Sequence, residues 1–181
     1  QMDYFESIKS QDSLCQSLLD SLKTPALEAI HNHSDPKIAK EVLFLLLKAI
    51  ANKKSYLSLL ISNTRQLDRL LSLMVQSPYL KNLVISYPRL LPLLWVQDEC
   101  EPRSMGELKQ MISHHLPLIE GLENQLDYLR EQKLFQLCRI AISDLENRYP
   151  IMRVSDFLSE LAEIMVQSVC DLAWHSMIER Y

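Results

Sequence analysis

The residues best suited to chemistry are five histidines, four cysteines and a scatter of carboxylates, and their spacing argues against a catalytic assembly. His31 and His33 flank Asn32 just ahead of a helix, and His114-His115 sit at the end of another. Histidines share a metal from one helix face only at i, i+3 or i, i+4, with a carboxylate or cysteine completing the set. Neither pair has that spacing, and the helix dipole, which favours histidine near a helix end, accounts for them. His175 has Asp171 four residues before it, a spacing that can orient an imidazole on a helix face. No serine or cysteine nucleophile stands beside it in a recognisable setting. No aspartate lies two residues from another, whereas two-metal nucleotidyl transfer needs closely placed carboxylates to hold Mg²⁺ against phosphates. With Gly106 and Gly121 the only glycines, a phosphate-cradling loop is excluded as well.

Composition narrows the remaining classes. The 181 residues are 48% hydrophobic and 23% charged, ordinary values for a folded domain. A net charge of −4 offers no large electropositive footprint for nucleic acid. Apolar runs such as Val42 to Leu47 are far too short to span a membrane, and residues 1–20 lack the continuous apolar stretch of a secretory signal. Cys15, Cys100, Cys138 and Cys170 are scattered and contain no CxxC. They read as small core hydrophobes in a reducing cytosol, with disulfides or a cysteine-based metal site as the alternatives.

The elements that must position these groups are helical. Residues 2–23 form an amphipathic stretch with Phe5, Ile8, Leu14, Leu18 and Leu22. Thr24-Pro25, Asp35-Pro36 and Ser77-Pro78 each offer an N-cap followed by proline at the first helical position, where its missing N–H costs nothing. The helix opened by Asp35-Pro36 runs to about Ala51, and Ser104 to Glu107 spells a capping box. Two long helices follow. The first is expected from about Leu118 to Arg148 with Leu122, Leu126, Leu129, Leu137, Ile140, Ala141 and Leu145 on its apolar face. The second is expected from Ser155 with Leu158, Leu161, Met165, Val169, Leu172 and Ala173 on its own. Tyr149-Pro150 separates them, so a short connection makes them antiparallel. No stretch sustains period-two alternation.

Residues 55–71 also align with residues 78–94 at an offset of 23, pairing Tyr56 with Tyr79, Leu57 with Leu80, Leu60 with Leu83, Leu67 with Leu90, Leu70 with Leu93 and Leu71 with Leu94. Each copy reads as two short helices broken near Asn63 or Tyr87-Pro88, stacking on the other copy because one alone cannot bury its apolar face. The expected fold is all-α: a multi-helix bundle with a two-copy helical-hairpin repeat, followed by a long antiparallel helix pair. Its divisions are an N-terminal helical linker (1–34), a repeat module (35–103) and a helical segment (104–181). Gln1 and the helix running to Tyr181 without a cap read as the edges of a piece of something longer.

Along the first long helix lie Arg130, Lys133 and Arg139, with Glu131 and Asp144. They form either a solvated face with ordinary ion pairs or a polar interface to another domain, for which arginine's bidentate geometry is suited. Phe135, Phe157 and Trp174 are candidates to lie outside the local core and mark such an interface.

Three stretches carry a family resemblance: KSYLSLLISNTRQLDRLLSLMVQSPYLKNLVISYPRLLPLL (54–94), LREQKLFQLCRIAISDL (129–145) and MRVSDFLSELAEIMVQSVCDLAWHSM (152–177). In this order they resemble the glutamine synthetase adenylyltransferases, bifunctional enzymes with two nucleotidyltransferase halves, each preceded by helices. The likeness covers about residues 35–181, and the third stretch fits the second half better. It implies a non-catalytic segment leading into a C-terminal nucleotidyltransferase domain that lies past Tyr181. The family's glycine pair and Asp-x-Asp signature is absent, so no catalytic residue carries over. For the full enzyme the resemblance implies ATP, Mg²⁺, glutamine synthetase and the PII signalling protein as cofactors and partners, and a cytoplasmic setting. The segment would position the adenylylating domain and relay effector signals, with Arg130, Lys133, Arg139, Asp144 and Trp174 as interface candidates. A free-standing helical adaptor that binds a peptide in an apolar groove is the alternative. A small hydrolase using the histidines and a metal is a third.

Overall fold

The computed structural model describes Ile8, residues 12–95 and residues 101–178; Phe5 and Cys100 lie outside these. Every regular element among the described residues is a helix, and none is a strand, so the fold is all-α. None of these helices is long and apolar enough to cross a membrane. The chain divides into two compact units, Gln1–Glu99 and Cys100–Tyr181.

In the first unit, α1 (Ser13–Asn32) starts at Asp12, whose carboxylate accepts from the Leu14 N–H, and runs straight through Pro25. The helix start expected at Thr24-Pro25 is therefore not used. Cys15, Leu19, Leu22, Ala26, Ala29 and Ile30 keep one buried stripe across the proline, and their burial outweighs the one backbone hydrogen bond that its ring removes. The apolar face lies on this stripe, leaving Leu14 exposed.

Helix α2 (Pro36–Ile50) opens at the Asp35 cap and α5 (Pro78–Ser86) at the Ser77 cap, as the sequence predicts. Between them stand α3 (Lys54–Ser62), a tight turn at Thr64–Gln66 and α4 (Leu67–Gln76). A 3₁₀ helix over Pro88–Leu94 follows α5, its tighter winding accommodating Pro92. Of the aligned leucines, Leu57, Leu60, Leu70, Leu71, Leu80, Leu90 and Leu94 are completely buried. The Trp95 indole donates to the Asn63 carbonyl at 3.4 Å, and the Arg69 guanidinium donates to the Leu94 carbonyl.

The second unit comprises α6 (Met105–His115), α7 (Leu122–Leu145) and α8 (Ile151–Ile178). The capping box at α6 is complete: Glu107 N–H reaches Ser104 Oγ at 3.3 Å, and the Glu107 carboxylate accepts from the Ser104 N–H at 3.0 Å. Helix α7 is shorter than expected. Gly121, at φ 85°, precedes it, and Asn147, at φ 52°, follows it. Arg148 N–H returns to the Ser143 carbonyl at 2.9 Å and Asn147 N–H to that of Asp144 at 3.0 Å, the paired bonds that close a helix through a left-handed residue.

Helix α8 begins at Ile151 rather than Ser155, because the Pro150 carbonyl already accepts from Arg153 and Val154. The core of this unit is Leu108, Ile112, Leu116, Leu129, Ile140, Val154, Phe157, Leu161 and Ile164. On α7 the predicted positions Leu129 and Ile140 are buried, while Leu122 is exposed.

Candidate functional site

Among the described residues, the groups capable of chemistry are not brought together. His33 Nδ1 accepts from the Asp35 N–H at 3.1 Å, and His115 Nδ1 donates to the Met111 carbonyl at 2.9 Å. His114 and His115 sit in the last turn of α6, as His31 does in that of α1. His175 Nδ1 meets the Asp171 main-chain carbonyl at 2.7 Å, and the Asp171 carboxylate instead accepts from Gln167 Nε2 at 2.9 Å. The side-chain Asp–His pair allowed by the spacing is thus not formed, since a carbonyl one helical turn back is the nearer acceptor. Among the described residues no group of three His, Cys, Asp or Glu side chains is placed to hold a metal ion. Cys15 and Cys138 are buried, whereas Cys170 is exposed on α8 and is no core hydrophobe.

The charged cluster on α7 does not form one patch. Arg130 pairs with Asp127, both side chains being well exposed. Lys133 and Asp144 are exposed on the same side. Arg139 follows Arg130 by nine residues, about two and a half turns, and so lies half-buried on the opposite side.

The surface that stands out is on α8. Its covered side carries Val154, Phe157, Leu161 and Ile164, about one residue away in register from the face expected. Phe157, expected outside the core, is only 7% exposed; Tyr149 meets its ring edge-on at 5.2 Å, and the Arg153 guanidinium lies 4.3 Å from its centroid. Phe135 is half-buried. Beside the covered side runs a second apolar stripe of Leu158, Ala162, Val166, Val169, Ala173 and Met177, all exposed. Leu158 and Val169, Ala162 and Ala173, and Val166 and Met177 are each eleven residues apart, a repeat that returns to the same face with a drift of only about 20°. The charged residues Arg153, Asp156, Glu160, Glu163 and Asp171 occupy about a quarter of the circumference and leave this stripe uncharged. Val166 is 64% exposed and Trp174 63%.

On another side of the same half of α8 lies an open cleft of about 710 Å³, floored by Ile112, Leu116 and Leu172, with Lys109, Glu163 and Asp171 at its rim. Hydrogen bonds from the Ser104 backbone and hydroxyl hold the Glu107 carboxyl below its usual range, and burial pushes the Tyr128 phenol up.

The sequence reading missed the eleven-residue stripe because it assigned Leu158, Val169 and Ala173 to the core. The signal was the confinement of the charges of α8 to one narrow arc, which leaves more apolar surface than one neighbouring helix can cover.

A broad, exposed and uncharged helix face of this kind is the mark of an interaction surface. Residues 67–181, well over half the chain, match the model of the family described as glutamate-ammonia ligase adenylyltransferase. The chain is 32% identical over 177 residues to the bifunctional glutamine synthetase adenylyltransferase/adenylyl-removing enzyme of Pseudomonas putida, covering 96% of this chain and 18% of the relative. The proteins of the same description from Pseudomonas aeruginosa and Pseudomonas syringae pv. tomato are 30% and 31% identical, again with 18% of the relative covered. The chain belongs to the glutamate-ammonia ligase adenylyltransferase family, and it spans about a fifth of the length of these relatives.

Proposed function

We propose that this chain is a non-catalytic helical segment of an enzyme that adenylylates and deadenylylates glutamine synthetase, and that it positions the adjoining adenylylating domain. The observation that carries this reading is the uncharged, exposed stripe of α8, Leu158 to Met177, beside the side that its own unit already covers. Exposed apolar surface of this extent is characteristic of an interface. Family membership supports the substrate, since the relatives are named for glutamine synthetase. ATP and Mg²⁺ would serve the full enzyme, in the cytoplasm; no carboxylate set among the described residues fits a metal, so no step is assigned to this segment. Arg130, Lys133, Asp144 and Trp174 would lie at or near the interface, with Arg139 on the other side of α7.

The test is to place a charge on the stripe of the full-length enzyme, Val166→Asp together with Ala173→Asp, and to assay both activities. Adenylylation is expected to fall by at least about tenfold, equivalent to about 1.4 kcal/mol, with the chain still folded. Unchanged adenylylation would sink the positioning role. Relay of effector signals is the finer part of the proposal. Form-selective binding of the PII protein, measured by calorimetry on the isolated segment, would support it, and loss of that selectivity in the full enzyme would remove it. The cleft beside α8 favours the second reading, a helical adaptor taking a partner helix in its groove. That reading predicts partner binding by the segment alone, independent of any adjoining domain.

A further inference from the structure

One buried polar group in the second unit lacks a partner. Gln136, midway along α7, is only 2% exposed, and its Nε2 donates to nothing in the protein. The orientation of its amide is fixed chemically. Oε1 accepts from the Arg103 N–H at 3.2 Å, and turning the amide over would set two donors against each other. An unpaired buried donor of this kind is costly, so the residue calls for an explanation.

Gln136 also lines a small cavity of about 10 Å³, together with Pro102, Arg103, Leu108 and Glu160. One water needs about 10–15 Å³, so the space is the size of a single water. Chemistry narrows the guest further. It must accept from the Gln136 amide, which excludes ammonium. It must also donate if it is to meet the Glu160 carboxylate, which excludes chloride. Water does both.

We propose that a single long-lived water occupies this cavity, accepting from Gln136 Nε2 and donating to the Glu160 carboxylate. Glu160 already receives the Arg153 guanidinium at 3.3 Å. The water would complete a polar chain from Arg103 through Gln136 and Glu160 to Arg153. That chain ties the segment entering α6 to both long helices, running from the buried Gln136 to the half-exposed Glu160 and Arg153 at the edge of the apolar core. It is a binding site for solvent built into the fold, and it is independent of the enzyme to which the segment belongs.

The test is water-to-side-chain NOE and ROE spectroscopy on the isotope-labelled 181-residue chain. The Gln136 amide protons are expected to show a cross peak to a water that resides longer than tumbling. The Gln125 amide, which donates to the Leu116 and Ile119 carbonyls, provides the control without one. Glu160→Met should abolish the Gln136 cross peak while the Arg103 amide shift stays in place, and Glu160→Gln, which keeps an acceptor, should retain it. Absence of the cross peak in the parent chain, or its persistence in Glu160→Met, would overturn the proposal.

Discussion

Helices α2 and α8 are both strongly apolar, yet they meet opposite fates. Helix α2 buries six of its fifteen residues, Ala39, Val42, Leu43, Leu46, Leu47 and Ile50, around an arc wide enough to take neighbours on several sides. Helix α8 buries four of twenty-eight. Its first half is held by Phe157, Leu161 and Ile164 against α6 and α7, while from Met165 to Ile178 no residue is fully buried. An apolar helix in a finished core and one that still presents a face look alike in composition. What separates them is how many neighbours their own unit supplies.

The contrast can be broken most forcefully where both helices are covered. Phe157→Ala on α8 should cost about 3–5 kcal/mol and Leu46→Ala on α2 about 2–5 kcal/mol, read as a fall in the denaturant midpoint. If the loss at Phe157 were under about 1 kcal/mol, the covered side of α8 would not be a core at all. A smaller effect is expected at the mouth of the second unit. Ser104→Ala removes the hydroxyl of the capping box and should cost about 1 kcal/mol in the same assay.

The partner carboxylate adds a pH dependence. Because Glu107 is held below its ordinary value of 4.5, the unfolded chain binds the extra proton in that window. Its contribution is therefore complete above 4.5 and is lost as pH falls through the depressed folded value. A Glu107→Gln chain should differ from the parent near neutrality and converge with it on acidification, followed by thermal unfolding. The smallest effect sharpens the comparison: Val166→Ser should change the stability of this chain by no more than about 0.5 kcal/mol, since its site has no cover to lose. A large loss there would mean that the stripe is packed within this chain.

Much of this was legible in the sequence where the cause is local. Asp35, Ser77 and Ser104 each cap the helix they announce, because capping depends on residues within one turn. Local signals failed where burial competes with them. Thr24-Pro25 has the form of a helix start, but the stripe from Cys15 to Ile30 carries α1 through it. Ser155 has the form of a cap, but Pro150 starts α8 a turn earlier. The site suffered most from register. An error of one residue on α8 exchanges Phe157 for Leu158, and so exchanges the covered side for the open one. The interface candidates on α7 shared a stretch of sequence but not a side of the helix, as Arg139 shows.

The left-handed Asn147 and the Pro150 carbonyl set the reversal between α7 and α8 within a few residues. Closing so short a loop costs little entropy, and contacts between sequence neighbours form early in folding. The hairpin is therefore expected to close quickly once both of its helices have emerged during synthesis, with the uncharged stripe of α8 on its outside. For that interval the stripe is a liability, an apolar surface ready for another nascent chain or a chaperone, and how quickly it is covered would set the yield of folded protein.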